Sequence, residues 1–261
     1  MEMPRIIGKI SLNRKNLNMI GAQWKRLQSE WDQPIKIAIP GPMTIMDSTY
    51  NEHYKDSVDQ LLLDLADNIN TFLVHLTNQY DVRFIQIDEP IFARKPEMTK
   101  RIGFAAMKRV WQNVPDRVYK SIHICCGYTD EVDEKYEKAS NHAYVRLADY
   151  GMDEFLVNEC GVNGISIEDA HDRVPMEFYR KIRKLDIILG VVKVCRTECY
   201  SEEEIVERVG SIIKEGGVKP DKLLLAPDCG MALLPLDVAR EKIQVMGRAA
   251  NVLRRRYQSK L

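Results

Sequence analysis

The chain has 261 residues, 45% apolar and 29% charged, which is the composition of a soluble globular protein with room for one large buried core or two small ones. Lys+Arg and Asp+Glu are both 38, so the net charge is zero, which argues against a general binder of nucleic acid or anionic membranes. The longest apolar run, IILGVV at 187–192, is far too short to span a bilayer, and the opening MEMPRIIGKISLNRKN lacks the apolar core of a signal peptide, so a cytoplasmic location is expected.

The first predicted strands are RIIGKIS (5–11) and IKIAIPG (35–41). A helix follows over 55–80, where Val58, Leu61, Leu62, Leu65, Ile69, Phe72, Leu73 and Leu76 recur at helical spacing. RFIQIDEP (83–90), KSIHICC (120–126), NGISIED (163–169) and IILGVVKV (187–194) are the next strands. Segment 201–214 reads as a helix with a capping box, Ser201 followed by Glu204, and an apolar face of Ile205, Val209, Ile212 and Ile213. Gly216 and Gly217 stop it. KLLLAPDCG (222–230) is the seventh strand, and a last helix over about 235–257 carries Val238, Ile243, Met246, Ala250 and Leu253.

Most of these strands are too apolar for one wet face and fit parallel strands covered by helices. Strand–helix alternation without a low-complexity linker predicts an α/β fold in a single domain over 1–261, either a barrel or a doubly wound sheet. An eight-stranded barrel takes about 250 residues; this chain shows seven strands.

Polar residues gather where strands end: Asp88 and Glu89, His123 and Cys125, Glu168 and Asp169, Asp228 and Cys229. In a parallel barrel those ends share one face. His123, Cys125, Glu168 and Cys229 together make a plausible four-coordinate zinc set. His123 and Cys125 are two apart on a strand, so they face the same way, whereas Cys125 and Cys126 face opposite ways and only one of them belongs to the site. Taken singly, each motif has a plainer reading. H-x-C is more often a packed histidine and a small apolar cysteine, IDEP a capped strand end, and PDCG a turn before a helix. The six cysteines (125, 126, 160, 195, 199, 229) do not make a disulfide scaffold.

In order along the chain, RIIGKISLNR, KIAIPGPMTI, FIQIDEP, IHIC, ISIE, LGVV and APDCG resemble the C-terminal catalytic barrel of the cobalamin-independent methionine synthase family, over roughly residues 4–255. The resemblance implies a (β/α)8 TIM-type barrel that here lacks its first strand. It also implies a zinc-dependent S-methyltransferase that gives methionine from homocysteine. The zinc ligands would be His123, Cys125, Glu168 and Cys229, leaving Cys126, Cys160, Cys195 and Cys199 out of the set. Asp88 would hold the substrate amino group, and Glu168 would give way when the substrate sulfur arrives, so that both count as catalytic. Zinc would favour the thiolate, which is the nucleophile.

Three departures from the family pattern shape the expectation. No strand with the family's Gly-Ser motif precedes RIIGKIS, which predicts an open seam between RIIGKIS and KLLLAPDCG and marginal stability. Ser48 stands where folate-dependent members carry a stacking tryptophan, and Arg94 where they carry an acidic residue. Cys195 stands where they carry a proton-donating histidine. Methyl-tetrahydrofolate is therefore not the expected donor, and a corrinoid protein is the candidate in its place. The other expected partners are a homocysteine-like thiol and a second subunit as candidate cover for the seam, with neither nucleic acid nor membrane. Two further readings stay open at this point: a zinc thiol alkyltransferase acting on another thiol or electrophile, and a zinc-binding protein without turnover.

Overall fold

The computed structural model describes residues 3–125, 132–133 and 142–258. The first half holds β1 (Arg5–Ile6), α1 (Arg14–Glu30), β2 (Ile37–Pro40), α2 (Pro42–Asp47), β3 (Tyr50–Asn51), α3 (Val58–Gln79), β4 (Phe84–Asp88), the short turns α4 (Ile91–Arg94) and α5 (Pro96–Met98), a π-helical turn (Thr99–Gly103), α6 (Phe104–Trp111) and β5 (Tyr119–Ile124). The second half holds α7 (His142–Asp149), α8 (Met152–Cys160), β6 (Gly164–Glu168), α9 (Met176–Lys181), β7 (Asp186–Val192), α10 (Glu202–Glu215), a 3-10 turn (Pro220–Lys222), β8 (Leu223–Pro227) and α11 (Leu236–Gln258). A six-stranded sheet has the order β2-β4-β5-β6-β7-β8, and β1 and β3 form a separate two-stranded sheet. By packing, the chain divides into two compact units, Met1–His123 with Glu154–Gly164 and Ile124–Asp153 with Ile165–Leu261.

In the first unit β2, β4 and β5 run parallel, with Pro40 opposite Asp88 and Asp88 opposite His123. Ile85, Ile87 and Ile122 are fully buried, as the apolar, β-branched pattern requires for a sheet covered on both faces. α3 buries Leu61, Leu62, Leu65, Ala66, Ile69, Leu73 and Leu76 along one stripe. All three tryptophans of the chain lie in this unit. Trp111 is buried, the Trp24 indole donates to the Ile35 carbonyl at 3.0 Å, and Trp31 is exposed.

RIIGKIS does not form the long strand expected of it. Only Arg5 and Ile6 are extended in a ladder, and their partners are Tyr50 and Asn51. Ile7 is 78% exposed and a Cβ on Gly8 would meet nothing within 4 Å, so the segment lacks the neighbours that would extend the ladder. Ile6 instead joins Tyr54, Leu61 and Leu65 in a small apolar cluster, and the Ile10 amide donates to the Tyr54 hydroxyl at 3.0 Å. Six of the seven predicted strands therefore belong to the main sheet. RIIGKIS is outside it, and the terminal strands of the order are β2 and β8.

In the second unit β6 is buried throughout and β7 is buried from Ile187 onward. β7 and β8 are parallel, Ile187 opposite Leu223, with a register shift between Gly190 and Val192 next to the strand ends. Asp153 caps the turn into β7 by accepting the amides of Arg183, Lys184 and Leu185. α11 buries Lys242, Val245, Ala249 and Leu253, keeps Val238, Met246 and Ala250 half-buried and leaves Ile243 exposed. The Lys242 ammonium donates to the Glu198 carbonyl, which turns that face inward. Among the described residues no helix is long and apolar enough to cross a membrane.

α10 begins as its sequence requires. The Ser201 hydroxyl accepts the Glu204 amide at 3.2 Å and the Ser201 amide donates to Glu204 Oε2 at 2.7 Å. Gly217 follows the helix at φ +71°, where a side chain would be strained. Ser201→Ala should lower the unfolding free energy by about 1 kcal/mol, read from urea denaturation. No change would mean that the cap is carried by the surrounding packing instead.

Candidate metal centre

β5 buries Ile122 and Ile124, and the residues between and after them, His123 and Cys125, share the other face. Both are buried, His123 at 4% and Cys125 at 6% exposure. Ladder bonding continues past the strand end on the β4 side, where the Glu89 amide donates to the His123 carbonyl at 2.8 Å. Cys229 stands half-buried, two residues beyond β8. One ligand atom from each of His123, Cys125 and Cys229 lies within 4.8 Å of the others. Three of the four residues expected to hold a metal thus come together. An imidazole and two sulfurs are donors suited to a borderline-soft ion such as zinc.

Glu168, the fourth expected ligand, ends β6 as a carboxylate 2% exposed and is not in that group of three. Its backbone is fixed by Tyr144, whose hydroxyl accepts the Glu168 amide at 3.4 Å and donates to the Ile124 carbonyl at 2.8 Å. Asp88 is half-buried at the end of β4, and its Oδ1 accepts from Gln86 Nε2 at 2.7 Å.

The other strand-end carboxylates are committed to the scaffold. Asp169 takes a bidentate pair from Arg208 at 2.6 and 2.7 Å, the Tyr179 hydroxyl at 2.8 Å and the Val174 amide at 2.8 Å. Burial, with the Asp169 charge beside it, pushes the Tyr179 phenol well up. Asp228 accepts three backbone amides from the turn after β6. Glu89 fills a socket at the start of α2, where Oε2 accepts the Met43 amide at 2.9 Å and Oε1 the Thr44 hydroxyl at 2.5 Å. Burial pushes its carboxyl up to about 7, against the pull of those donors. Sequence reading did not single out these roles. The one trace of the Glu89 socket is Gly41, where a Cβ would lie 2.2 Å from Glu89 Oε2.

Of the other cysteines, Cys160 is buried at the end of α8, and burial pushes its thiol up to about 12. Cys195 Sγ lies 3.2 Å from His171 Nδ1, and burial raises the half-buried Cys199 thiol. Cys126 lies outside the described residues. Ser48 is exposed at the end of α2 and Arg94 is exposed in α4, 3.9 Å from the Asp47 carboxylate.

A family model described as the catalytic domain of cobalamin-independent synthase matches residues 2–252. Methionine synthase of Pyrococcus horikoshii is 30% identical over 222 residues, 85% of this chain and 57% of its own length. Methionine synthase of Sulfolobus acidocaldarius is 26% identical over 258 residues, 98% of this chain and 67% of its own length. The chain therefore spans little more than half of the Pyrococcus relative. A B12-independent methionine synthase from Shewanella sp. W3-18-1, solved in complex with selenomethionine, superposes with a TM-score of 0.84 at 26% identity and covers 98% of this chain and 72% of its own. The putative B12-independent enzyme from Listeria monocytogenes has the same fold, with a TM-score of 0.71 at 19% identity over 95% of this chain and 73% of its own.

The Glu89 socket has a measurable pH signature. Its folded pKa of about 7 exceeds the ordinary 4.5, so the stability contributed by the protonated form is full below 4.5 and is lost as pH rises through about 7. Thr44 favours the ionised form. Thr44→Val should cost about 1–3 kcal/mol, more on the alkaline side of that window than on the acid side, in urea unfolding at both. An equal loss on the two sides would assign Thr44 to packing alone.

Proposed function

The chain belongs to the cobalamin-independent synthase catalytic-domain family, and on that premise we propose that it transfers a methyl group to a thiol with zinc as cofactor, homocysteine being the acceptor. One observation carries this reading: the ligand atoms of His123, Cys125 and Cys229 lie within 4.8 Å of one another. Those three residues would hold the ion, with Glu168 completing the set. Bound there, zinc would keep the substrate sulfur as a thiolate, the form that attacks a methyl group.

Each of the chain's own residues then has a distinct task. Asp88, braced by Gln86 and opposite His123 in the strand register, receives the substrate ammonium as a charge-assisted acceptor. Glu168 is the one oxygen donor in a set of nitrogen and sulfur, and it is the member assigned to give way to the substrate. Burial of His123 and Cys125 keeps water from competing for the centre. Ser48 and Arg94 stand at the family's folate-handling positions and Cys195 at that of its proton-donating histidine, so a methylated corrinoid is the donor assigned in place of methyl-tetrahydrofolate. Residues 1–261 act in this reading as a single catalytic domain.

The purified chain should hold about one zinc ion. Cys125→Ser and Cys229→Ser should each lose most of it, and Cys160→Ser should keep it, measured by elemental analysis. Equal metal content in all three variants would overturn the ligand assignment. With homocysteine as acceptor, methionine should form from methylcobalamin and hardly at all from methyl-tetrahydrofolate; the reverse order would refute the donor assignment. Asp88→Asn should raise the KM for homocysteine about tenfold or more, with a smaller change in kcat.

A further inference from the structure

One carboxylate stitches together the ends of β6, β7 and β8. Asp228 is 1% exposed. Its Oδ1 accepts the amides of Asp169 and Ala170, both at 3.1 Å, and its Oδ2 accepts the amide of His171 at 2.8 Å. Its own amide donates to the Val192 carbonyl at 3.1 Å. Three successive N–H groups converging on one anion form a backbone nest, filled here by a side chain of the same chain. β7 makes room for it with a glycine. A Cβ on Gly190 would lie 2.2 Å from Asp228 Oδ1 and 2.8 Å from the Asp228 Cα and the Ile167 carbonyl.

The clamp adjoins in sequence two of the residues assigned to the metal. Glu168 precedes the first amide of the nest, and Cys229 follows the carboxylate that fills it. The third amide belongs to His171, whose imidazole Nδ1 is 3.2 Å from Cys195 Sγ. The position of the turn therefore sets both where Glu168 ends and where the His171 ring sits.

We propose that Asp228 is a positioning residue that fixes the 169–171 turn and so holds Glu168 in place relative to Cys229 and His171 in place against Cys195. The Glu168 half of this rests on the zinc reading; the His171 half does not. Outer residues of this kind tune a centre through the geometry of its ligands rather than by touching the ion.

The test uses Asp228→Asn, which keeps the shape but turns an N–H group toward the backbone amides, and Asp228→Glu, which keeps the charge but misplaces it. Zinc affinity is measured on the full chain by competition with a chromophoric chelator. Cys195 reactivity is measured by iodoacetamide labelling with peptide mass mapping, and Ser201→Ala serves as a destabilised control away from the nest. Both Asp228 variants should bind zinc about 10–100-fold more weakly and label Cys195 faster, while Ser201→Ala keeps wild-type values for both. Wild-type zinc affinity in folded Asp228 variants would overturn the proposal, as would equal weakening in Ser201→Ala. If the wild-type chain binds no zinc, the functional reading falls on its own. The labelling then decides: faster Cys195 modification in the variants upholds the clamp, and unchanged modification removes it. If Asp228→Asn fails to fold, Asp228→Glu carries the same expectations.

Discussion

Side chains on a strand alternate between two faces, and neighbouring parallel strands end on the same side of the sheet. The candidate centre depends on that geometry. His123 and Cys125 are brought to one face because a single buried isoleucine, Ile124, separates them. Asp88 reaches the same level because β4 pairs with β5 in a register that puts it opposite His123. Sliding β5 by one residue in either direction would put an isoleucine, Ile122 or Ile124, where His123 stands, so the apolar packing that fixes the register also selects the donors.

A carboxylate at the end of a buried strand is costly unless something satisfies it, and the chain satisfies its acids in different ways. Asp169 is neutralised by Arg208 and tied to Tyr179. Asp153 and Asp228 are satisfied by trios of backbone amides, and Glu89 keeps a raised pKa in its socket beside Met43 and Thr44. Asp153 lies at the start of α8, but Glu89, Asp169 and Asp228 stand at strand ends as Asp88 does, and only their partners distinguish these three from it. Charge type and strand-end position narrow the candidates; the hydrogen-bond partners separate scaffold from site.

Much of this was legible in the residues themselves. The IHIC, ISIE and APDCG segments read correctly as strand ends because their apolar runs are short, β-branched and closed by polar residues. The Ser201–Glu204 capping box was legible because both of its bonds are local in sequence. RIIGKIS was misread because an apolar, β-branched run carries no information about whether a neighbouring strand exists to pair with it. Its actual partner, Tyr50–Asn51, sits in a polar stretch without strand character. On α11 the inner position of Lys242, beside the exposed Ile243, was not legible for a related reason: Lys242 is buried through a bond to the distant Glu198 carbonyl, and a periodicity count places lysines outside. The Asp228 nest was invisible because its donors are backbone groups, which the one-letter sequence does not display.

The placement of the tryptophans has an optical consequence. Trp24, Trp31 and Trp111 all belong to the unit that ends at His123, and none lies in the unit that carries Cys229 and the Asp228 nest. Intrinsic emission excited at the indole band therefore follows the melting of one half of the polypeptide, while far-ultraviolet dichroism follows helices in both. For this chain indole emission reports one half and dichroism reports both, and coincidence of their transitions carries information about cooperativity that neither trace contains alone.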